Sequence, residues 1–222
     1  MGRVWFVSVT ACVIHIRPPS LERDAMGCDE YSPLTKKGTN LTDSGGIGYT
    51  VIDALDTMQL MNLQEEYERA RKWIATKLTF DRDGNYNTFE VNVSQFLFFF
   101  QTYPTIQTTI RILGGLLSAY HLSSDELFLS KATDLADRIL PAFDTPSGLP
   151  LSMINLAKYE GVDDPHVPGL VSTSEVSTLQ LEFRYLSYLT ENAEYWDKAE
   201  KVSVHRKQVI DVLISFCRSW QF

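Results

Sequence analysis

Thr108-Thr109-Ile110-Arg111-Ile112-Leu113-Gly114-Gly115-Leu116-Leu117-Ser118-Ala119 is the stretch on which the fold turns. Its apolar residues and lack of proline predict a helix. Two features are out of place in it. A lone cation, Arg111, stands near the start, and two glycines sit in the middle. A glycine inside a helix costs about 1 kcal/mol against alanine. A pair of them marks a point where another group must come close to the backbone.

Upstream, Gly48–Met61 predicts a second helix, since Ile52, Leu55 and Met58 recur at three-residue steps beside Val51. Asp53 and Asp56 lie one turn apart on one face of it. Aspartate is a poor interior helix residue, so both need partners or water at that face. Leu63–Leu78 follows with acids first and bases later, the order that suits the helix dipole. Thr79–Asn87 reads as a polar turn. Downstream, Ser123-Ser124-Asp125-Glu126 has capping-box spacing, which predicts a helix over Ser124–Leu140. Thr145–Leu170, rich in Pro, Gly and Asp, reads as a long loop, as does Leu21–Gly46. Ser174–Leu189 is helical in pattern, with Glu175 and Glu182 two turns apart on one face. Ala193–Lys201 opens a further helix. The recurring unit is helix, short turn, antiparallel helix, which predicts an all-α array of αα-hairpins.

Composition narrows the function. The 222 residues are 44% hydrophobic, enough for one ordinary domain with a sizeable core. A formal net charge of −8 speaks against a nucleic-acid surface. Cys12, Cys28 and Cys217 lack metal-ligand spacing. The apolar run Val4–Ile16 is too short to cross a bilayer, which takes about 20 residues. A signal-peptide core, a buried strand and a mis-assigned N-terminus all fit it. Asn40-Leu41-Thr42 and Asn92-Val93-Ser94 match the glycosylation sequon.

Phe89-Glu90, read straight on to the Thr108 stretch, resembles the pattern of the family 47 glycoside hydrolases, the class I α-1,2-mannosidases that trim N-glycans. Val51-Ile52-Asp53-Ala54-Leu55-Asp56-Thr57, Asp29-Glu30-Tyr31-Ser32-Pro33 and Glu175-Val176-Ser177-Thr178-Leu179-Gln180-Leu181-Glu182-Phe183 are similar to further motifs of the family. The likeness covers about 160 residues in two blocks, Asp24–Glu90 and Thr108–Lys201. It implies the opening portion of an (αα)7 barrel, an N-terminal half holding roughly three of seven hairpins. The domain reading is a mannosidase portion over 21–201 with an insertion at 91–107. Residues 1–20 stay unassigned, and 202–222 form a divergent tail.

The resemblance implies an inverting hydrolase acting on terminal α-1,2-linked mannose, for which carboxylates must flank the bond. By it, Glu90 matches the acid-side glutamate and is the expected catalytic residue. Arg111 matches the arginine one turn after it, although 21 positions separate the two in this chain. Glu175 matches an active-site carboxylate and Glu182 its neighbour. Asp53, Asp56, Asp29 and Glu30 match residues lining or supporting the mannose pocket. Taken alone, an Asp-Glu pair in a polar loop is usually a solvated turn, and an arginine at a helix end usually reaches solvent.

The family also uses Ca²⁺. Its calcium-ligating threonine, its Asp-Ser-Tyr-Tyr-Glu-Tyr motif and its base glutamate have no counterpart in this sequence, so no metal ligand is expected here and little or no hydrolysis. The implied partner is a high-mannose N-glycan on a glycoprotein, bound by a monomer in the endoplasmic reticulum or Golgi. A non-catalytic mannose-binding protein and a helical-repeat interaction protein are the rival readings. Val-Ser recurs at 93–94 and 202–203, the translation of a GTAAGT splice donor, and Gln107 can be a CAG acceptor. Retained introns are therefore expected to supply Val91–Gln107, Val202–Phe222 and much of Met1–Ser20.

Overall fold

The structure is a computed structural model that describes residues 24–88, 108–165, 168–169, 171 and 179–204. Glu90 and Glu175, the insertion 91–107 and the tail beyond residue 204 lie outside the described residues.

The chain enters through a two-stranded antiparallel hairpin, β1 (Glu30–Ser32) and β2 (Lys37–Thr39), in register Glu30↔Thr39. Helices α1 (Tyr49–Asp53) and α2 (Leu55–Leu60) follow, then α3 (Gln64–Thr76). The expected single helix Gly48–Met61 is thus two pieces, parted at Ala54. Gly48 sits just before α1 with φ of +73°, and a Cβ there would meet the Trp73 ring at 2.3 Å. Only glycine satisfies both the left-handed backbone and the contact.

Strand β3 (Asn85–Asn87) comes next. After residue 107 the chain resumes in one wide π-helical turn, Thr108–Leu113, which runs into α4 (Gly114–Ser123). α5 (Glu126–Ile139) packs back on α4 and tightens into a 3₁₀ turn, Leu140–Phe143. β4 (Met153–Asn155) and β5 (Glu160–Val162) join β3 in an antiparallel sheet of order β3-β4-β5. α6 (Gln180–Thr190) and a helical stretch over 193–204 end the described chain.

The helical pairing expected from sequence is present: α1–α2 with α3, α4 with α5, and α6 followed by 193–204. The five three-residue strands were not expected, and they correct the reading of Leu21–Gly46, Thr79–Asn87 and Thr145–Leu170 as loop and turn alone. They are too short to show the alternation that a sequence pattern needs. The start of α5 also needs correction. Asp125, not Ser123, is its N-cap, accepting from Leu127 N at 3.1 Å. Ser123 still belongs to α4, where its hydroxyl donates to Ala119 O at 2.7 Å. Arg71 on α3 donates its Nε to the same Asp125 carboxylate and so ties the first hairpin to the second.

α4 is the hub. Together with the π turn it packs against α1, α2, α5 and α6. Its buried face, Ile112, Leu113, Leu116, Leu117 and Ala119, joins Ile52 and Leu55 from the first hairpin, Phe128, Leu135 and Ile139 from α5, and Phe183 and Leu186 from α6. Phe183 stacks edge-on between Phe143 and Tyr195 at 5.7 and 6.0 Å. The core continues across Lys201, since Val202 is 1% exposed.

Of the glycine pair, Gly115 meets what the sequence demands and Gly114 does not. A Cβ at Gly115 would lie 2.9 Å from the Ile52 carbonyl oxygen, so α1 and α4 touch backbone to side. A Cβ at Gly114 would find Glu182 Oε1 at 3.6 Å, an ordinary contact.

Candidate functional site

Along the π turn and α4, Arg111, Gly114, Ser118 and His121 follow one another at steps of three, four and three. That spacing places them along one helical face. Each meets a polar group from a neighbouring helix, which makes a continuous polar seam.

Arg111 donates from Nη2 and Nε to Asp53 Oδ2 at 2.8 and 3.1 Å. Its guanidinium also lies over the Tyr49 ring, 4.0 Å from the centroid. The general tendency of a helix-end arginine to reach solvent is not followed here: the Arg111 side chain is 19% exposed and Asp53 26%. Both guanidinium bonds fall on one carboxylate oxygen. Among the described residues no hydrogen bond goes to Asp53 Oδ1. Burial pushes the Asp53 carboxyl above its usual range, the Arg111 charge opposes that, and the nearby Asp56 adds to it.

One turn on, Ser118 Oγ donates to Asp56 Oδ2 at 2.9 Å. Thr57 Oγ1 donates to Asp56 Oδ1 at 3.3 Å. Across Gly114 lies Glu182, only 6% exposed, in the first turn of α6, where the helix dipole favours an acid. At the end of the seam the His121 ring Nδ1 and the Tyr185 hydroxyl are 2.7 Å apart. Asp53, Asp56, Arg111 and Glu182 therefore share one seam.

Asp29 and Glu30 part company. Glu30 is exposed at the edge of β1. Asp29 is fully buried, and so corrects the expectation of a solvated turn. Its Oδ1 accepts from Ile47 N at 2.7 Å and from Tyr49 N at 3.4 Å, and its Oδ2 from Leu41 N at 3.2 Å. Its carbonyl takes the Thr50 hydroxyl at 2.6 Å. The side chain folds the 41–49 loop and anchors the N-terminus of α1. Burial pushes its carboxyl up, and the backbone N–H groups pull the other way. Its role is to hold α1, and with it Asp53, in place.

Sequence reasoning passed over Ser118, Tyr49, His121 and Tyr185. The three-four-three spacing in an otherwise apolar helix was the available signal for Ser118 and His121. Nothing local points to Tyr49, which reaches the site only through packing of α1 on the π turn. That turn is where Arg111 sits, and π turns are frequent at functional positions.

Among the described residues, no group of three or more His, Cys, Asp or Glu side chains is placed to hold a metal ion. The described residues do not by themselves fit the Ca²⁺ that the family resemblance implies, and no step is derived through it.

The described chain is an array of helical hairpins with acids and an arginine gathered along one seam. The comparisons sharpen this. The family model for Glycosyl hydrolase family 47 matches residues 20–211, and this chain belongs to that family. The endoplasmic reticulum mannosyl-oligosaccharide 1,2-alpha-mannosidase of Schizosaccharomyces pombe is 46% identical over 175 residues, 79% of this chain and 30% of the relative. The human protein of the same name is 44% identical over 184 residues, 82% of this chain and 23% of the relative. The alpha-1,2-mannosidase of Trichoderma reesei has the same fold, with a TM-score of 0.70 at 24% identity over 90% of this chain and 40% of that one. The chain thus spans less than a third of the length of the two curated relatives.

Proposed function

We propose that this chain forms one wall of an α-1,2-mannosidase site, and that the Arg111–Asp53 end of the seam binds hydroxyls of a terminal mannose on a high-mannose N-glycan. The observation that carries the reading is the Asp53 carboxylate. Arg111 fixes one of its oxygens and no described bond occupies the other. A half-buried, oriented acceptor is suited to a sugar hydroxyl, because neighbouring hydroxyls both donate and accept. Asp56, one turn along, has both oxygens occupied, by Ser118 and Thr57, and supports the seam rather than offering a second free acceptor.

By resemblance, Glu90 is the proton donor and Glu175 a further carboxylate of the site. The whole reaction is inverting hydrolysis, with the two working carboxylates roughly 6.5–9.5 Å apart to admit water. The closed (αα)7 barrel, the Ca²⁺ site and secretory residence in the endoplasmic reticulum or Golgi belong to the same proposal. Among the described residues no helix is long and apolar enough to cross a membrane. The 222-residue chain alone is expected to bind mannose weakly and to release none, since this sequence has no counterpart of the family's base glutamate.

The test is a calorimetric titration of the purified chain with α-1,2-mannobiose, beside a mannose-release assay on a high-mannose glycan. Weak binding, abolished in Arg111→Ala, with no mannose released, is the expected outcome. Binding that Arg111→Ala leaves untouched would remove the seam from the site. Strong mannose release would overturn the division of labour.

A further inference from the structure

We infer that Val91–Gln107 interrupts a single helical turn, and that the fold on either side is complete without it. The observation is a hydrogen bond between described residues. Thr109 Oγ1 donates to Thr88 O at 2.7 Å across a sequence separation of 21. Here Thr109 lies in the π turn and Thr88 directly follows β3. Inside a helix a threonine or serine hydroxyl turns back to the carbonyl four residues earlier. This chain makes that bond repeatedly: Thr76 to Lys72 at 2.8 Å, Ser123 to Ala119 at 2.7 Å, Thr133 to Leu129 at 3.0 Å and Thr190 to Leu186 at 2.8 Å. Val91–Gln107 is 17 residues long, and removing it from the separation of 21 leaves four. Thr88 and Thr109 then stand at the spacing the bond ordinarily has.

The surroundings agree. Thr88, Thr108 and Thr109 are each fully buried. Thr88 is itself fastened to the loop before β4, its N–H donating to Ser152 O at 2.9 Å and its hydroxyl to Leu151 O at 3.0 Å. Thr88 and Thr109, which flank the joint, are therefore already hydrogen-bonded to each other with the segment still in the chain. This inference does not depend on the sugar-binding proposal, because it concerns chain continuity alone.

Bringing the two ends together costs entropy that grows with the length between them, about 0.6 kcal/mol for each doubling. Shortening the connection from about 20 residues to about 3 raises the folding equilibrium constant roughly fifteen-fold on that scaling.

The experiment compares three purified 222-residue-based chains by urea unfolding and amide hydrogen exchange: the chain as it stands, a deletion of residues 91–107, and a replacement of those residues by 17 Gly/Ser residues. The deletion is expected to fold, with a folding constant raised about ten-fold or more and stronger amide protection over Thr109–Leu113. The Gly/Ser replacement is expected to match the original within about two-fold. A deletion variant that fails to fold, or is less stable, overturns the inference. A Gly/Ser chain much less stable than the original does so too, because the natural segment would then contribute contacts of its own.

Discussion

Adding one methyl group at neighbouring positions of α4 should move stability in opposite directions. A Cβ at Gly115 falls 2.9 Å from Ile52 O, 3.2 Å from Ile52 Cγ2 and 3.3 Å from Ile52 C. The first of these is a backbone atom within α1 and has no rotamer to turn away. Relieving it moves α1 off α4 by roughly 0.5 Å, given the separations at which carbon atoms normally rest. Overpacking of this kind costs about 1–3 kcal/mol. The helix propensity gained by replacing glycine with alanine returns about 0.5–1 kcal/mol. Gly115→Ala should therefore lose a net 1–2 kcal/mol or so, lowering Tm by about 2–8 °C for a chain of this size. At Gly114 the nearest atoms are Glu182 Oε1 at 3.6 Å and Glu182 Cγ at 3.7 Å, ordinary contacts that cost nothing. Gly114→Ala should then raise Tm by about 1–3 °C from the propensity gain alone. Thermal unfolding followed by far-ultraviolet circular dichroism reads both. If Gly115→Ala is as stable as the parent or more so, α1 does not touch α4 as described and the placement of Asp53 beside Arg111 loses its support.

Substitutions at two further positions test how the carboxylates are used. Asp29→Asn keeps the shape but puts an amide donor against backbone N–H groups; about 1–3 kcal/mol should be lost, and Asp29→Ala should lose at least as much, both read by urea unfolding. Arg71, with Leu127 N, holds the Asp125 carboxyl below its usual range. A depressed carboxylate stabilises the fold above its unfolded value near 3.9, and that contribution is lost as pH falls through the folded value. Asp125→Asn should therefore flatten the acid side of the stability–pH curve below about pH 4 while costing about 1 kcal/mol at neutral pH through the weakened cap and ion pair. A curve of unchanged slope would show that Arg71 and Asp125 are not paired in solution.

The helical hairpins were legible because their apolar residues repeat at helical spacing over ten or more positions, as in Leu127, Phe128, Ala132, Leu135 and Ile139. Gly115 and the two inward aspartates were legible as exceptions to helix chemistry, and each meets its reason in the Ile52 carbonyl, Arg111 or Ser118, whereas Gly114 has only ordinary contacts. What escaped was set by long-range contact. β3 and β4 pair across more than sixty residues, Tyr86 with Ile154, and three-residue strands leave no periodic trace. The π turn is likewise silent, because its residues would serve an α-helix equally well. Asp29 looked like a surface acid until the 41–49 loop closed over it, and only the fold supplies the three backbone donors that make its burial tolerable.

The central claim is that this chain carries a competent mannose-binding wall once its turn is continuous. A chimera tests it most directly: residues 24–201 of this chain, without 91–107, replace the matching portion of the Schizosaccharomyces pombe relative. The chimera should release mannose from a high-mannose glycan, and Arg111→Ala within it should reduce the rate by at least about ten-fold, the loss of one charge-assisted contact at the site. A chimera that folds with the circular dichroism of the parent yet releases no mannose would contradict the account.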